Sequence, residues 1–189
     1  MRNLVIVDLE TTSLDTATCA VLEVCAIDTT TGEEHHYVPY VSASQLGSAD
    51  PKAMQINRYY ERGVWEQRLD VDLTRIAWGT LADLLRGNTL GGSNPTFDAA
   101  VLARVLGEEA WHHRLADLSA YAAPAMGLGP HELPGLDAVC EHFDAANLDP
   151  HSAKGDAHAA AACFQLASDW YAAMRSCMAL QGSQRGGPA

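Results

Sequence analysis

The opening of the chain limits the fold more than any other part of it. Residues 3–9 and 20–28 are runs rich in β-branched side chains and bounded by turn-forming stretches, and residues 30–33 make a hairpin turn into a third extended segment at 35–41. Strands joined this closely pair antiparallel, so the chain begins as a meander. The period then changes. After a polar stretch at 42–51 a short helix is expected near 52–57, and residues 70–85 carry Leu73, Ile76, Ala77, Leu81, Leu84 and Leu85 at helical spacing. Residues 90–93 read as a short, glycine-containing strand. Helices are expected at about 97–106, 119–126, 135–143 and 156–178, broken by Gly107, by residues 127–130 and by residues 147–150. A hairpin-first sheet followed by alternating strands and helices predicts an α/β layered domain. Its sheet is mixed, three antiparallel strands then parallel strands, with the first strand central and helices on its flanks. Residues 1–180 form one domain in this reading, and the glycine-rich residues 181–189 a flexible tail.

Composition narrows the function. A chain of 189 residues, 48% apolar, builds one substantial core and leaves little for a second domain. The apolar run at 4–7 stops at Asp8, far short of a secretory or membrane-spanning segment, so the expectation is a cytoplasmic protein without membrane association. Cys19, Cys25, Cys140, Cys163 and Cys177 are scattered among apolar neighbours with no CxxC pair, and read as reduced, mostly buried small hydrophobes. The formal charge of -12 excludes a protein that coats nucleic acid by neutralising phosphates. It leaves room for an enzyme that meets nucleic acid at one site, because carboxylates around divalent ions count as negative in a sequence while the ions offset them.

Four acids stand where acids are unexpected. Leu4, Ile6, Asp8 and Glu10 share one face of the first strand, so two carboxylates continue an apolar stripe. An isolated Asp-x-Glu ordinarily ends a strand and starts a turn. Asp98 begins a helix face continued by Val101, Leu102, Val105 and Leu106, although an acid at a helix start commonly serves as a cap, a place Asn94 or Thr96 could fill instead. Asp156 repeats the pattern, followed by Ala159, Ala160, Cys163, Phe164 and Ala167, with Gly155 as a modest cap. Burying unpaired carboxylates is costly, and no comparable set of inward-facing Lys or Arg accompanies these. Cations are therefore implied, and oxygen-only ligands suit the hard ions Mg²⁺ or Mn²⁺. His151, five residues before Asp156, is the candidate general base. The remaining histidines read as surface or core residues.

These residues fall in segments that resemble the DEDDh 3′-to-5′ exonucleases, a family that includes the proofreading subunit of bacterial DNA polymerase III, RNase T and oligoribonuclease. The motifs are VDLETTSLD at 7–15, GGSNPTFDAAVL at 91–102 and HSAKGDAHAA at 151–160, in order and with the His-x₄-Asp spacing intact. The resemblance implies a ribonuclease-H-like fold, two divalent cations held by Asp8, Glu10, Asp98 and Asp156, and His151 as the general base. It further implies that Thr11, Thr12 and Leu14 line the pocket for the terminal nucleotide, that Ile56 and Asn57 approach its base or sugar, and that Asn94 and Phe97 support the substrate. Ser13 and Pro95 depart from the family pattern in loops beside the substrate.

The implied activity is metal-dependent hydrolysis of the last phosphodiester of a single-stranded nucleic acid, DNA first, releasing nucleoside 5′-monophosphates from 3′ ends. RNA, short oligonucleotides or small nucleotides remain alternatives of the same chemistry, and a non-catalytic polymerase-associated module is another. A polymerase or other replication or repair partner fits the family. Monomer and homodimer are both open. Tyr59, Tyr60 and Trp65 are candidates for base stacking or for packing under the helix that follows.

Overall fold

A computed structural model describes residues 2–184. Strands β1 (Leu4–Thr11), β2 (Val21–Asp28) and β3 (Glu34–Tyr37) form the meander, and β4 (Thr89–Gly92) and β5 (Ala116–Asp117) extend the sheet beyond β1 in the order β3-β2-β1-β4-β5. β1 pairs antiparallel with β2 and parallel with β4, and β4 pairs parallel with β5. The sheet is mixed and its first strand is central, as the pattern predicts.

Alternation along β1 divides the core. Val5, Val7 and Leu9 pack under α3 (Val71–Leu85) and α4 (Pro95–Leu106), against Leu81, Leu85, Val101 and Leu102; helices α1 (Ala43–Gly47) and α2 (Pro51–Asn57) precede these. Ile6 turns to the opposite face with Cys25 and Ile27. There it meets α5 (Leu118–Ala122), α6 (Leu136–Phe143) and α7 (Ala153–Gln184). Ala153, Ala157 and Ala160 let α7 lie close to the sheet, and each fully buried Val, Leu or Ile contributes about 1.5–3 kcal/mol. A third cluster, Leu22, Val38, Val41, Tyr59 and Val64, takes in Leu46 of α1 and Met54 of α2. Period two then sends Asp8 and Glu10 toward the α7 side.

Several boundaries differ from expectation for identifiable reasons. β1 continues to Thr11, because Glu10 pairs with Glu23 and, across a register shift, Thr11 with Val21. β3 ends at Tyr37, near Pro39, which has no N–H for a ladder. Helix α1 was not anticipated, although Ser42 and Gln45 form a capping box that marks it. β5 has two residues and no periodicity to detect. α5 ends at Ala122 rather than near 126, since Pro124 lacks the N–H a continuing helix needs. α7 starts at Ala153, ahead of the expected 156, with Ser152 Oγ accepting from Gly155 N at 2.9 Å. Ser152 thus caps the helix and Gly155 lies inside it. α7 also runs through Gln184, so residues 181–184 of the expected tail are helical, and residues 185–189 lie outside the described residues. Cys19, Cys25, Cys140 and Cys163 are buried, Cys177 is exposed, and all are free thiols. Among the described residues no helix is long and apolar enough to cross a membrane.

Candidate active site

The end of β1 brings acids together from both faces of the sheet. Asp8 and Glu10 of β1 and Asp156 of α7 each place one carboxylate oxygen within 4.8 Å of the others. Asp98 arrives from the other side, in the first turn of α4, and its Oδ1 accepts the Leu9 N–H at 3.0 Å, between the two β1 acids. It lies outside the close group of three but is the strongest charged neighbour of Asp8. This approach depends on Gly92, where a Cβ would sit 2.7 Å from the Val7 carbonyl oxygen. Capping does not account for these acids. Asn94 holds the N-cap position of α4, and Asp98 reaches across to β1. The Asp156 N–H already bonds the Ser152 carbonyl at 2.9 Å, while its carboxylate accepts from Asn147 Nδ2 at 2.7 Å and from the His151 N–H at 3.3 Å.

Mutual repulsion is written into the proton affinities. Burial, then Asp98, Glu10 and Asp156, hold the Asp8 carboxyl well above the usual range. Glu10 is pushed up to about 8 by burial and by Asp156 and Glu23, against an opposing pull from Arg62. Burial raises Asp98 to about 7 despite the Leu9 amide. Asp156 is raised by burial and partly relieved by Asn147 and His151. A group of carboxylates that resists ionisation while offering convergent oxygens fits a hard divalent cation, which would remove the repulsion.

The sequence reading missed two partners of this group. Glu23 lies directly across from Glu10 on β2 and is 3% exposed. Burial pushes its carboxyl up, yet hydrogen bonds from His36 and Arg62 outweigh burial and hold it below the usual range. Arg62 is the inward-facing cation that the sequence did not reveal, and His36 is not without a partner. The Arg62 guanidinium bonds Glu23, donates to the Asn57 carbonyl at 2.9 Å and reaches Asp149 at 3.5 Å, touching α2 and the loop before α7 at once. The signal for Glu23 was an acid inside a continuous apolar strand. Arg62 follows α2 in an irregular stretch with no such signal.

His151 is exposed, with a left-handed backbone at φ 60, uncommon for a residue with a Cβ. Its loop is wound tightly onto α7. Ser152 Oγ donates to the Asp149 carbonyl at 2.7 Å, and a Cβ on Gly155 would lie 2.1 Å from that same oxygen.

Beside Glu10 a cleft of about 230 Å³ is lined by Thr11, Leu14, Ile56, Asn57 and Phe97. Five residues assigned to substrate by resemblance therefore share one cavity. Thr12 and Asn94 do not line it. Thr12 is buried with Oγ1 accepting the Ala20 N–H at 2.9 Å, a loop-closing contact, and Asn94 is exposed at the start of α4. The Asn57 amide donates to the Thr11 carbonyl and accepts from the Tyr59 N–H, joining α2 to the end of β1. Tyr59 is 1% exposed and belongs to the core, whereas Tyr60 and Trp65 are half exposed.

The exonuclease family represented by RNase T matches residues 5–164, spanning the sheet, the acids and the His151 loop. The chain belongs to the exonuclease family. Solved structures share the fold of this exonuclease domain. E. coli exonuclease I in complex with a dT13 oligonucleotide has a TM-score of 0.72 at 16% identity, over 93% of this chain and 43% of that one. The zinc-bound E. coli exonuclease I–ssDNA complex gives 0.69 at 17% identity, over 88% and 40%. An ExoI/SSB-Ct complex gives 0.62 at 17%, over 88% and 41%. The domain thus spans about two-fifths of the length of the chains it matches. No curated protein matches the sequence.

Proposed function

We propose that this exonuclease domain removes nucleotides from the 3′ end of single-stranded DNA by metal-dependent hydrolysis, releasing nucleoside 5′-monophosphates. The observation that carries the reading is the meeting of Asp8, Glu10 and Asp156 oxygens within 4.8 Å, beside a cleft that Glu10 helps to line. Asp8, Glu10, Asp98 and Asp156 would hold two divalent cations, Mg²⁺ or Mn²⁺. Such ions, when bound, lower the pKa of an attacking water and stabilise charge on the leaving oxygen.

The rest of the work falls to the chain's own groups. The cleft receives the terminal nucleotide, with Leu14, Ile56 and Phe97 giving the base an apolar wall and Asn57 keeping α2 at the end of β1. His151, exposed beside Asp156, takes the proton of the attacking water; general bases contribute about 10²–10⁴ in rate. The phosphorus–oxygen bond to the preceding nucleotide breaks, leaving a new 3′-hydroxyl. DNA is the first substrate to try because the similar exonuclease I structures hold DNA oligonucleotides. The charge of -12 supports weak, distributive engagement of the strand.

The test is a gel time course on 3′- and 5′-labelled single-stranded DNA and RNA of equal sequence, with Mg²⁺, Mn²⁺ or EDTA, beside Asp8→Ala. A metal-dependent ladder shortening from the 3′ end, absent in the variant, is expected. Cleavage that persists in EDTA or in Asp8→Ala would refute the site, and faster loss of RNA would reassign the substrate.

A further inference from the structure

The two oxygens of Asp156 are held differently. Oδ1 accepts from Asn147 Nδ2 at 2.7 Å and from the His151 backbone at 3.3 Å, while Oδ2 has no donor among the described residues. The terminal torsion of an aspartate is soft and its two oxygens are chemically equivalent, so nothing intrinsic to the residue fixes the plane of the carboxylate relative to Asp8 and Glu10. We propose that Asn147 is a positioning residue for the acid site: its side-chain amide clamps Oδ1 of Asp156 and so presents Oδ2 to the ion. The inference rests on the reading of Asp8, Glu10 and Asp156 as a metal site.

Three observations support it. The 2.7 Å contact is at the short end of the range for a charge-assisted hydrogen bond, and it is the shorter of the two bonds to the Asp156 carboxylate. The amide has one chemically acceptable orientation there, because its carbonyl oxygen would repel the carboxylate. Finally, Asn147 Oδ1 is buried and, among the described residues, without a partner. An asparagine placed to complete its own loop would satisfy both ends of the amide, since an orphaned buried acceptor is unfavourable. This one satisfies the end that touches Asp156. A residue in the connection between α6 and α7 thereby governs an oxygen in the site, as hydrogen-bonded partners of metal ligands commonly do.

The experiment is a Mn²⁺ titration without substrate, reading free Mn²⁺ by electron paramagnetic resonance, on the wild type, Asn147→Leu and Asp8→Ala, with thermal melts in EDTA. Leucine keeps the branching and the number of side-chain heavy atoms and removes both polar ends. Losing the bond to Asp156 and losing the orphan acceptor oppose each other in stability, so the melting temperature in EDTA should stay within a few degrees. Mn²⁺ affinity should fall about 10–100-fold, the usual effect of removing such a partner. Turnover should fall at limiting Mn²⁺ and recover at excess, with KM for the strand unchanged. Mn²⁺ affinity within about twofold of wild type would overturn the inference. So would a loss of affinity matched by a collapse of the EDTA melting temperature, which would mark a merely structural role. A wild type that binds Mn²⁺ no better than Asp8→Ala would instead overturn the metal site itself, and the inference with it.

Discussion

Glu10→Gln should stabilise the metal-free protein and forfeit most of the stabilisation that bound metal gives, and the first effect follows from proton affinities. Glu10 shifts from 4.5 to about 8 in the fold, chiefly through burial, then through Asp156 and Glu23. Because the folded-state value is raised, the fold retains a proton that the unfolded chain has released between those limits. Stability therefore falls as pH rises through that window and levels off above about 8. At about 1.4 kcal/mol per pKa unit the full shift, which already includes the opposing pull of Arg62, corresponds to roughly 4–5 kcal/mol as the gain from a neutral side chain. For a chain of this size that is roughly 8–20 °C in melting temperature. With Mn²⁺ at about a hundred times its Kd the wild type gains about 2.7 kcal/mol, most of which the variant should lose with its ligand. Thermal melts near pH 5 and above pH 8, in EDTA and in Mn²⁺, test each part. In EDTA the two proteins should melt together at the acid end and separate at the alkaline end, the variant higher. A variant less stable than wild type in alkaline EDTA, or one with the same Mn²⁺ gain, would refute the reasoning.

The His151 loop and the cleft are open to the same treatment. His151→Ala should keep its Mn²⁺ affinity and lose about 10²–10⁴ in turnover at saturating metal; near-normal turnover in the gel assay would remove the histidine from the mechanism. Gly155→Ala forces a methyl group into the Asp149 carbonyl, at 2.1 Å, and overpacking of this kind costs about 1–3 kcal/mol. Its relief displaces the loop carrying His151, so kcat should fall with little change in KM, and unaltered kinetics would mean the loop does not place the base. Ile56→Asp puts a charge on the exposed wall of the cleft, where Ile56 is 43% exposed. KM for single-stranded DNA should rise about tenfold with the EDTA melting temperature unchanged, and an unchanged KM would place the terminal nucleotide elsewhere.

Much of the site was legible because side-chain periodicity is a local property. Leu4, Ile6, Asp8 and Glu10 lie on one face of any extended strand, and the apolar residues after Asp98 and Asp156 assign those acids to inward helix faces in the same way. Glu23 was legible in principle, as a carboxylate within VLEVCAID, but its meaning depends on Arg62 and His36, which contact it from elsewhere in the chain. Tyr59 and Tyr60 are adjacent in sequence and opposite in fate, one at 1% and the other at 53% exposure. Nothing local separates them, because the difference is made by the cluster of Leu22, Val38 and Val64 that closes over Tyr59. The substrate residues divided in the same manner. Thr11 lines the cleft while Thr12 closes a loop, since consecutive residues near the end of a strand face opposite ways.

By itself the sequence determined the inventory: a strand-first mixed sheet, four inward acids and a histidine five residues before the last of them. Only the tertiary structure decided which of these act on one another. Electrostatic coupling and metal coordination depend on separations of a few ångströms between atoms that lie far apart in the chain. Asp8, Asp98 and Asp156 come within reach because β1 is central, α4 and α7 pack on its opposite faces, and Gly92 and Gly155 let backbone approach backbone. The Asp156 carboxylate is held by the amide of Asn147, a residue whose position in the sequence carries no sign of the role.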